Sequence, residues 1–202
     1  TAVYGPVAID GVEIDPAIIG VARRYFGLEE PNVRAIAQDG RAFLAGTSAH
    51  YDVIAVDAYR PPYIPFHLTT REFFALVHSR LTADGVLAMN IGHTGVDQAL
   101  VEDLADTVHT VFPTVYLIDG PEDYNSLLVA TVQTTALETV RARLAALPEP
   151  YLSGVGRRAL GRLQLWSGRR VVFTDDRAPV EQVVHAMLAR YALAMARGQI
   201  EE

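Results

Sequence analysis

The sequence predicts an α/β domain with a mostly parallel sheet, helices on both faces and a terminal antiparallel hairpin. Apolar, β-branched stretches typical of buried strands alternate along the chain with stretches that have the periodicity of amphipathic helices. The last two strand-like stretches, 115–118 and 127–132, are joined through the turn residues 119–123, a connection too short for a crossover. Together these observations favour a Rossmann-like sheet, in which ligands bind beyond the carboxyl ends of the strands.

Each element is indicated by its own local signals. The strand-like stretches are residues 7–14, 32–37, 51–56, 86–91, 115–118 and 127–132, and Asp84-Gly85 is expected to turn into the fourth of them. Asp15-Pro16 opens a first helix that ends at Gly27, because Asp caps helices and Pro is favoured in their first turn. Later helices are expected after Asp39-Gly40, after a capping Thr69 or Thr70, and over residues 97–111, 134–147 and 178–197. The Arg- and Gly-rich stretch between the last two helices is assigned no element.

The domain organisation follows from the length and from the pattern of elements. With 202 residues, half of them hydrophobic, the chain can bury one sizeable core. We expect residues 1–133 to form a Rossmann-like domain and residues 134–202 to form a C-terminal helical extension packed on it. Because the chain begins with Thr1 rather than Met, we expect a longer natural protein.

The composition excludes several classes of function. A formal net charge of −7 without any basic run argues against nucleic acid as the main partner, because phosphate binding needs clustered Lys and Arg. The chain has no cysteine, which excludes disulfides and thiolate catalysis, and all 17 basic residues are Arg, which excludes a Schiff-base lysine. No apolar run could span a bilayer and no signal-peptide pattern is present, so we expect a cytoplasmic protein without membrane contact. We also expect a homodimer.

Acidic residues follow three successive strand-like stretches, and they are the strongest candidates for a binding site. Glu13 lies at the tip of an apolar strand, where a carboxylate can accept two hydrogen bonds from the vicinal hydroxyls of a ribose. Asp39 suits the amino edge of an adenine, and Gly40 beside it lets the base approach the backbone. Asp57 ends the next strand and opens a Pro-rich loop, 60–67, over the site.

Simpler structural roles compete with these assignments. Asp15 is interpreted as a helix cap rather than a ligand, and Asp39-Gly40 is equally well interpreted as a common turn. Asp175-Asp176 is interpreted as a cap of the last helix. Glu13 is favoured as a ligand, because an acid at the end of an apolar strand needs a partner.

Several sequence blocks resemble spermidine synthases (polyamine aminopropyltransferases) and their fused or truncated bacterial relatives, over roughly residues 7–133. The blocks are GVEIDPAIIGVARRYF, PNVR, QDGRAFL, YDVIAVDAYRPPYIPFHLTTREFF and LTADGVLAMN. The segment Thr174–Gln182, TDDRAPVEQ, is similar to the tail of fused bacterial members. The order and spacing of VEIDP, DGRAFL and YDVIxVD are fairly specific, although class I methyltransferases share the fold and parts of the pattern.

The resemblance implies a class I methyltransferase-type fold and a reaction. An aminopropyl group would move from decarboxylated S-adenosylmethionine, the co-substrate, to a small-molecule amine acceptor. In that family the acid matching Glu13 holds the ribose, the pair matching Asp39-Gly40 holds the adenine, and the block opened by Asp57 carries catalysis. Two alternatives stay open: an S-adenosylmethionine-dependent methyltransferase of a small molecule, and a nucleoside-binding or assembly domain that has lost catalysis.

Two departures from the family's pattern bear on this assignment. The family carries an Asp-x-x-Asp-Pro block whose second Asp is the base, whereas this chain has Arg60 in that place. Arg cannot act as a base at neutral pH, and it repels a diammonium substrate. The family's central first strand and its glycine-rich loop, which holds the methionine part of the co-substrate, would precede residue 1. The resemblance therefore implies that the nucleoside-binding domain, residues 1–133, is incomplete at its N-terminus and belongs to a longer protein or borrows a strand from a partner.

Either Asp57 together with Tyr59, Tyr63 or His67 takes over the role of the missing base, or the acceptor is not an ordinary polyamine. We predict Asp57 and His67 as catalytic residues, with Asp57 also contacting the co-substrate, and Tyr59 and Tyr63 as walls of the acceptor pocket. His67 could deprotonate an acceptor near pH 7, and its alternative role is to cap the helix that begins near Thr69. The six histidines show no recognisable ligand spacing, so we expect no metal.

Overall fold

The computed structural model describes residues 5–59, 63–120, 124–148, 152–168 and 171–199. The chain divides into two compact units, an N-terminal unit of residues 1–48 and a C-terminal unit of residues 49–202. Each unit contains a pair of parallel strands, and the C-terminal unit adds antiparallel strands to its pair. The domain boundary expected at residue 133 stays a prediction.

The N-terminal unit is a strand-helix-strand unit followed by a short helix. Its elements are β1 (Ile9–Glu13), α1 (Pro16–Tyr25), β2 (Val33–Ala37) and α2 (Gly40–Gly46), with β1 and β2 parallel. Asp15 caps α1 as predicted, because its Oδ1 accepts a hydrogen bond from the Ala17 amide at 2.8 Å. After α1 the chain reverses at Gly27, whose φ of +66° is readily reached only by glycine.

The C-terminal unit is built on a five-stranded mixed sheet in the order β3-β4-β6-β5-β7. Its strands are β3 (Tyr51–Val56), β4 (Leu81–Gly92), β5 (Thr114–Asp119), β6 (Asn125–Thr131) and β7 (Leu163–Leu165). Its helices are α3 (Arg71–Arg80), α4 (Ala99–His109), α5 (Leu137–Ala145), α6 (Leu152–Leu160) and α7 (Val180–Ala196), and a 3-10 turn covers Phe66–Leu68. The strands β3 and β4 are parallel, and each other neighbouring pair is antiparallel.

The α/β class and the terminal hairpin are therefore confirmed, with two differences of detail. The sheet is mixed because β6 returns between β4 and β5, and because β7 pairs antiparallel with β5 at the outer edge. The strand β4 begins at Leu81 rather than at Val86, so the expected turn at Asp84-Gly85 lies within it. At Gly85 the backbone folds so tightly that an added Cβ would lie 2.7 Å from the Leu81 Cβ.

Apolar residues at helical spacing form the core of the C-terminal unit. Phe74 and Val77 on α3 and Leu104 and Val108 on α4 are fully buried, as is Leu87 on β4. Spacings of three and four residues place such side chains on one face of a helix, which explains why these two helices pack inward. Among the residues that the structure describes, no helix has the length and apolar character needed to cross a membrane.

Candidate active site

Glu13 ends β1 and offers one carboxylate oxygen to a ligand. The side chain is half-buried, and its Oε1 accepts a hydrogen bond from the Asp15 amide at 2.8 Å. Within the described part of the chain, no group donates to Oε2. The first oxygen is thus used to shape the turn into α1, and the second is free to accept a donor such as a ribose hydroxyl.

Asp39 has a structural role at the start of a helix. It caps α2, because its Oδ1 accepts a hydrogen bond from the Ala42 amide at 2.8 Å. A Cβ added at Gly40, the first helical residue, would meet no atom within 4 Å, so the space beside this residue is open. Where the sequence analysis offered a common turn as the alternative, the structure has a helix cap, and the adenine contact of Asp39 and Gly40 stays a prediction.

A cleft of about 200 Å³ lies within the N-terminal unit, between α1 and the parallel strand pair. Its walls come from both strands, from α1 and from the segment that joins α1 to β2; they are Gly11, Val12, Glu13, Ile18, Ile19, Ala22, Leu28, Val33 and Ala35. Glu13 is the single charged residue in this set of described residues. A larger cleft of about 470 Å³ lies around Asp84 and Thr131, where β4 bends and β6 ends, away from the carboxyl ends of the parallel strands.

Asp57 follows β3 directly and is held by the neighbouring strand. Its carboxylate is exposed, and its Oδ1 accepts a hydrogen bond from the Asn90 Nδ2 at 3.1 Å. Asn90 lies on β4 opposite the position that follows β3, because Val56 pairs with Met89. This amide was missed by the sequence analysis, although a polar residue near the end of the apolar run LAMNI is a signal that could have identified it.

Tyr59 is fixed to the backbone of β4 by both of its hydrogen bonds. Its hydroxyl donates to the Asn90 carbonyl at 2.8 Å and accepts from the Gly92 amide at 2.6 Å. Burial, with a smaller contribution from the negative charge of Asp57, raises the pKa of Tyr59 to about 12, although the Gly92 hydrogen bond acts in the opposite direction. The phenol is therefore protonated at neutral pH. Because its hydroxyl is already bonded to β4, the ring is the part of Tyr59 that can line a pocket.

Tyr63 and His67 lie further along the same loop. The Tyr63 hydroxyl is 2.6 Å from the His185 Nε2 on α7, and the two rings meet edge to face. His67 lies in the 3-10 turn, half-buried, with its ring edge against Phe66. Its alternative role as a helix cap is wrong: Thr70 caps α3, because its Oγ1 accepts a hydrogen bond from the Phe73 amide. Arg60 lies outside the described residues.

The segment around Asp175 fastens the end of this loop. The Thr70 hydroxyl donates to the Asp175 carboxylate at 2.7 Å, and the Arg71 amide donates to the Phe173 carbonyl at 2.8 Å. The expectation that Asp175-Asp176 caps the last helix is wrong, because α7 begins after Pro179 without a side-chain cap. Asp175 instead joins the start of α3, across 105 residues of sequence.

His93 is a buried histidine at the same edge of the sheet. It follows β4, its amide donates to the Tyr124 carbonyl, and its side chain is 7% exposed. Its Nδ1 lies 3.0 Å from the Thr94 carbonyl, while no described group pairs with its Nε2. In the described ranges, no three His, Asp or Glu side chains are arranged to hold a metal ion.

Comparison with known proteins points to one family. Residues 5–140 match the family described as the spermine/spermidine synthase domain. A probable polyamine aminopropyl transferase of Bifidobacterium longum is 32% identical over 91% of this chain, which covers 45% of that protein. The chain spans about half the length of the curated relatives that it matches.

Solved structures show the same fold. A spermidine synthase in complex with the transition-state analogue AdoDATO matches 76% of this chain and 65% of its own, with a TM-score of 0.61 and 20% identity. Human methyltransferase-like protein 13 in complex with SAH matches 79% of this chain and 74% of its own, with a TM-score of 0.59 and 24% identity. At these identities the likeness concerns the fold, which confirms the class I methyltransferase-type prediction.

Proposed function

Because this chain belongs to the spermine/spermidine synthase family, we propose that it takes part in aminopropyl transfer from decarboxylated S-adenosylmethionine to a small amine. The observation that carries the proposal is the placement of three acids at the carboxyl ends of strands that belong to parallel pairs: Glu13 is the last residue of β1, Asp39 lies two residues after β2, and Asp57 directly follows β3. Glu13 and Asp57 each have one carboxylate oxygen to which no described residue donates a hydrogen bond.

In the proposed reaction the amine nitrogen attacks the carbon next to the sulfonium. The nitrogen lone pair forms the new C–N bond, and the electrons of the broken C–S bond stay on sulfur, so neutral methylthioadenosine leaves. A sulfonium is already a good leaving group, and the protein has to align the partners and remove a proton from the ammonium. Asp57 is suited to both tasks, because a carboxylate attracts the ammonium and can accept its proton.

The remaining predicted site residues are assigned around this step. Glu13 would hold the ribose and Asp39 with Gly40 the adenine, while Tyr63 and the ring of Tyr59 would wall the acceptor pocket. His67 is the second candidate base, because an imidazole nitrogen can accept a proton from an ammonium group. The homodimer and the cytoplasmic location stay predictions, and light scattering on the purified chain measures the former.

The experiment that tests the nucleoside assignment is calorimetric titration with methylthioadenosine and with decarboxylated S-adenosylmethionine. Glu13→Ala should weaken both affinities by about tenfold or more, because a charged acceptor of hydrogen bonds is lost. Glu29→Ala, which removes an exposed acid from the same unit, is the matched control. Equal affinities for wild type and Glu13→Ala would remove the support for this site.

Arg60 favours a second candidate, a methyltransferase that uses S-adenosylmethionine with an anionic acceptor, because a guanidinium attracts an anion. The same titrations separate the two, since a methyltransferase prefers S-adenosylmethionine to its decarboxylated form. Arg60→Asp restores the family's residue and should raise aminopropyl transfer to 1,4-diaminobutane, measured by mass spectrometry of the amine product. A folded chain that binds none of these nucleosides would contradict both functions.

A further inference from the structure

The loop that follows Asp57 is tied down at three separate points. At its start, Asp57 and Tyr59 are bonded to β4. At its end, Thr70 is bonded to Asp175. Between them, the Tyr63 hydroxyl lies 2.6 Å from the His185 Nε2. The first contact belongs to the parallel strand pair, whereas the second and third come from the chain beyond residue 140, where the family match ends.

We infer that His185 is a positioning residue, which sets the orientation of Tyr63 on the acceptor side of the site. This rests on the proposed function insofar as Tyr63 is taken as an acceptor-pocket residue. The geometry constrains the phenol in two ways, because the hydroxyl is bonded to the imidazole while the rings meet edge to face at 5.6 Å and 85°. A tyrosine ring held at both its edge and its tip has little rotamer freedom left.

His185 is itself presented by a well-anchored helix. The adjacent Val184 is buried, and Met187, two residues further on, is buried as well. Arg190, one turn further along α7, forms an ion pair with Asp97, which in turn accepts a hydrogen bond from the Ala99 amide at the start of α4. The backbone that carries the imidazole is therefore anchored on both sides of His185.

A purely stabilising role fits this pair poorly. His185 is exposed, so water can satisfy its nitrogen when Tyr63 is absent, and water can likewise satisfy the phenol. Loss of the contact should therefore change the orientation of the Tyr63 side chain and have little effect on the stability of the unit. The expected signature is a change in the KM for the amine, with little change in nucleoside affinity or in thermal stability.

Three variants test the inference with decarboxylated S-adenosylmethionine and 1,4-diaminobutane as substrates. His185→Phe keeps the ring edge but removes the imidazole nitrogen, and Tyr63→Phe removes the hydroxyl; each should raise the KM for the amine about fivefold. The double variant should be no worse than either single one, since both break one interaction. His185→Gln, whose amide can either donate or accept, should bring the KM back to within about twofold. His50→Phe, at an exposed histidine just before β3, is the matched control.

A second readout keeps the inference testable if the wild-type chain proves inactive. Hydrogen exchange of the amides of residues 63–69 should be faster in His185→Phe than in wild type or His185→Gln, by about fivefold. Absence of turnover in the wild type would count against the proposed function alone. Unchanged exchange in His185→Phe, or additive KM effects in the double variant, would overturn the positioning role of His185 whatever the reaction proves to be.

Discussion

The N-terminal and C-terminal units differ in how much of their apolar surface they bury. In the N-terminal unit, Ile19 and Leu44 are the buried apolar side chains among the described residues, while Tyr25 is 66% and Phe26 80% exposed. In the C-terminal unit, two helices and the central strands enclose a continuous set of fully buried side chains. The predicted nucleoside groups therefore lie on a lightly packed unit that depends on caps and strand pairing. The predicted acceptor and proton-transfer groups lie on a densely packed one.

This difference indicates two ways in which a site can be held in place. Where a core is thin, local hydrogen bonds such as those of Asp15 and Asp39 set the geometry, and binding energy from a ligand adds to stability. Where a core is thick, long-range contacts such as that of Thr70 with Asp175 set it, and the site is formed before the ligand arrives.

The largest expected effect separates the two cores directly. Phe74→Ala should lower the free energy of unfolding of the C-terminal unit by about 3–5 kcal/mol, because Phe74 is completely buried. Ile19→Ala, at the buried position of α1, should cost about 2 kcal/mol, because few neighbours lose contacts. Urea unfolding followed by Trp166 fluorescence reports the C-terminal unit, and hydrogen exchange reports the N-terminal one. Equal costs would contradict the contrast in packing.

Asp57→Asn should separate catalysis from folding in the C-terminal unit. The amide keeps an oxygen for the Asn90 hydrogen bond but cannot take a proton, so aminopropyl transfer should fall about 100-fold while unfolding is unchanged. Asp52→Asn, which can likewise still accept from Thr82, is the matched control on β3. A transfer rate that falls equally in both variants would argue against a special role for Asp57.

A smaller effect distinguishes the two capping acids of the N-terminal unit. Asp15→Ala and Asp39→Ala should each destabilise a helix start by about 1 kcal/mol, because each removes a bond to a helix amide. Only Asp39→Ala should also weaken methylthioadenosine binding, by about tenfold as measured by calorimetry. If both variants lose affinity to the same extent, cap loss alone accounts for the effect and Asp39 has no separate ligand role.

The smallest effect concerns the titration of Tyr59. Its pKa is raised from 10.0 to about 12 in the folded chain, so its contribution to stability is complete below pH 10 and is lost as the pH rises towards 12. Absorbance at alkaline pH should show a late tyrosine step that becomes smaller in Tyr59→Phe; a late contribution should remain in that variant, because burial also raises the pKa of Tyr116. In Asp57→Asn the same step should occur at a lower pH, because the nearby negative charge is gone. An identical step in Tyr59→Phe would assign it to another tyrosine.

The sequence predicted well those structural features that depend on residues close together in the chain. The start of α1 at Asp15-Pro16, the cap of α3 at Thr70 and the β5–β6 hairpin follow from signals within a few residues of each other. The candidate acids Glu13, Asp39 and Asp57 were predicted for the same reason, because each lies at or within two residues of the end of a recognisable strand.

What the sequence did not predict depends on distant contacts. Strand β7 is three residues long and gains its place only by pairing with β5, and α6 lies in a stretch rich in Gly and Arg. His185 meets Tyr63 across 122 residues, and a lone histidine on a helix carries no local sign of its partner. Such contacts are decided by the packing of whole elements, which residue spacing alone does not encode.

The Tyr59 hydroxyl has a further consequence for the end of β4. In a parallel ladder, the Asn90 carbonyl and the Gly92 amide would both bond to one residue of the neighbouring strand, the residue opposite Ile91. Here β3 has already ended at Val56. The Tyr59 hydroxyl supplies the hydrogen-bond donor and acceptor that a residue of β3 would have supplied. The edge of the parallel pair is thereby completed at residue 59, so the hydrogen bonds at the end of β4 do not depend on the loop residues that follow Tyr59.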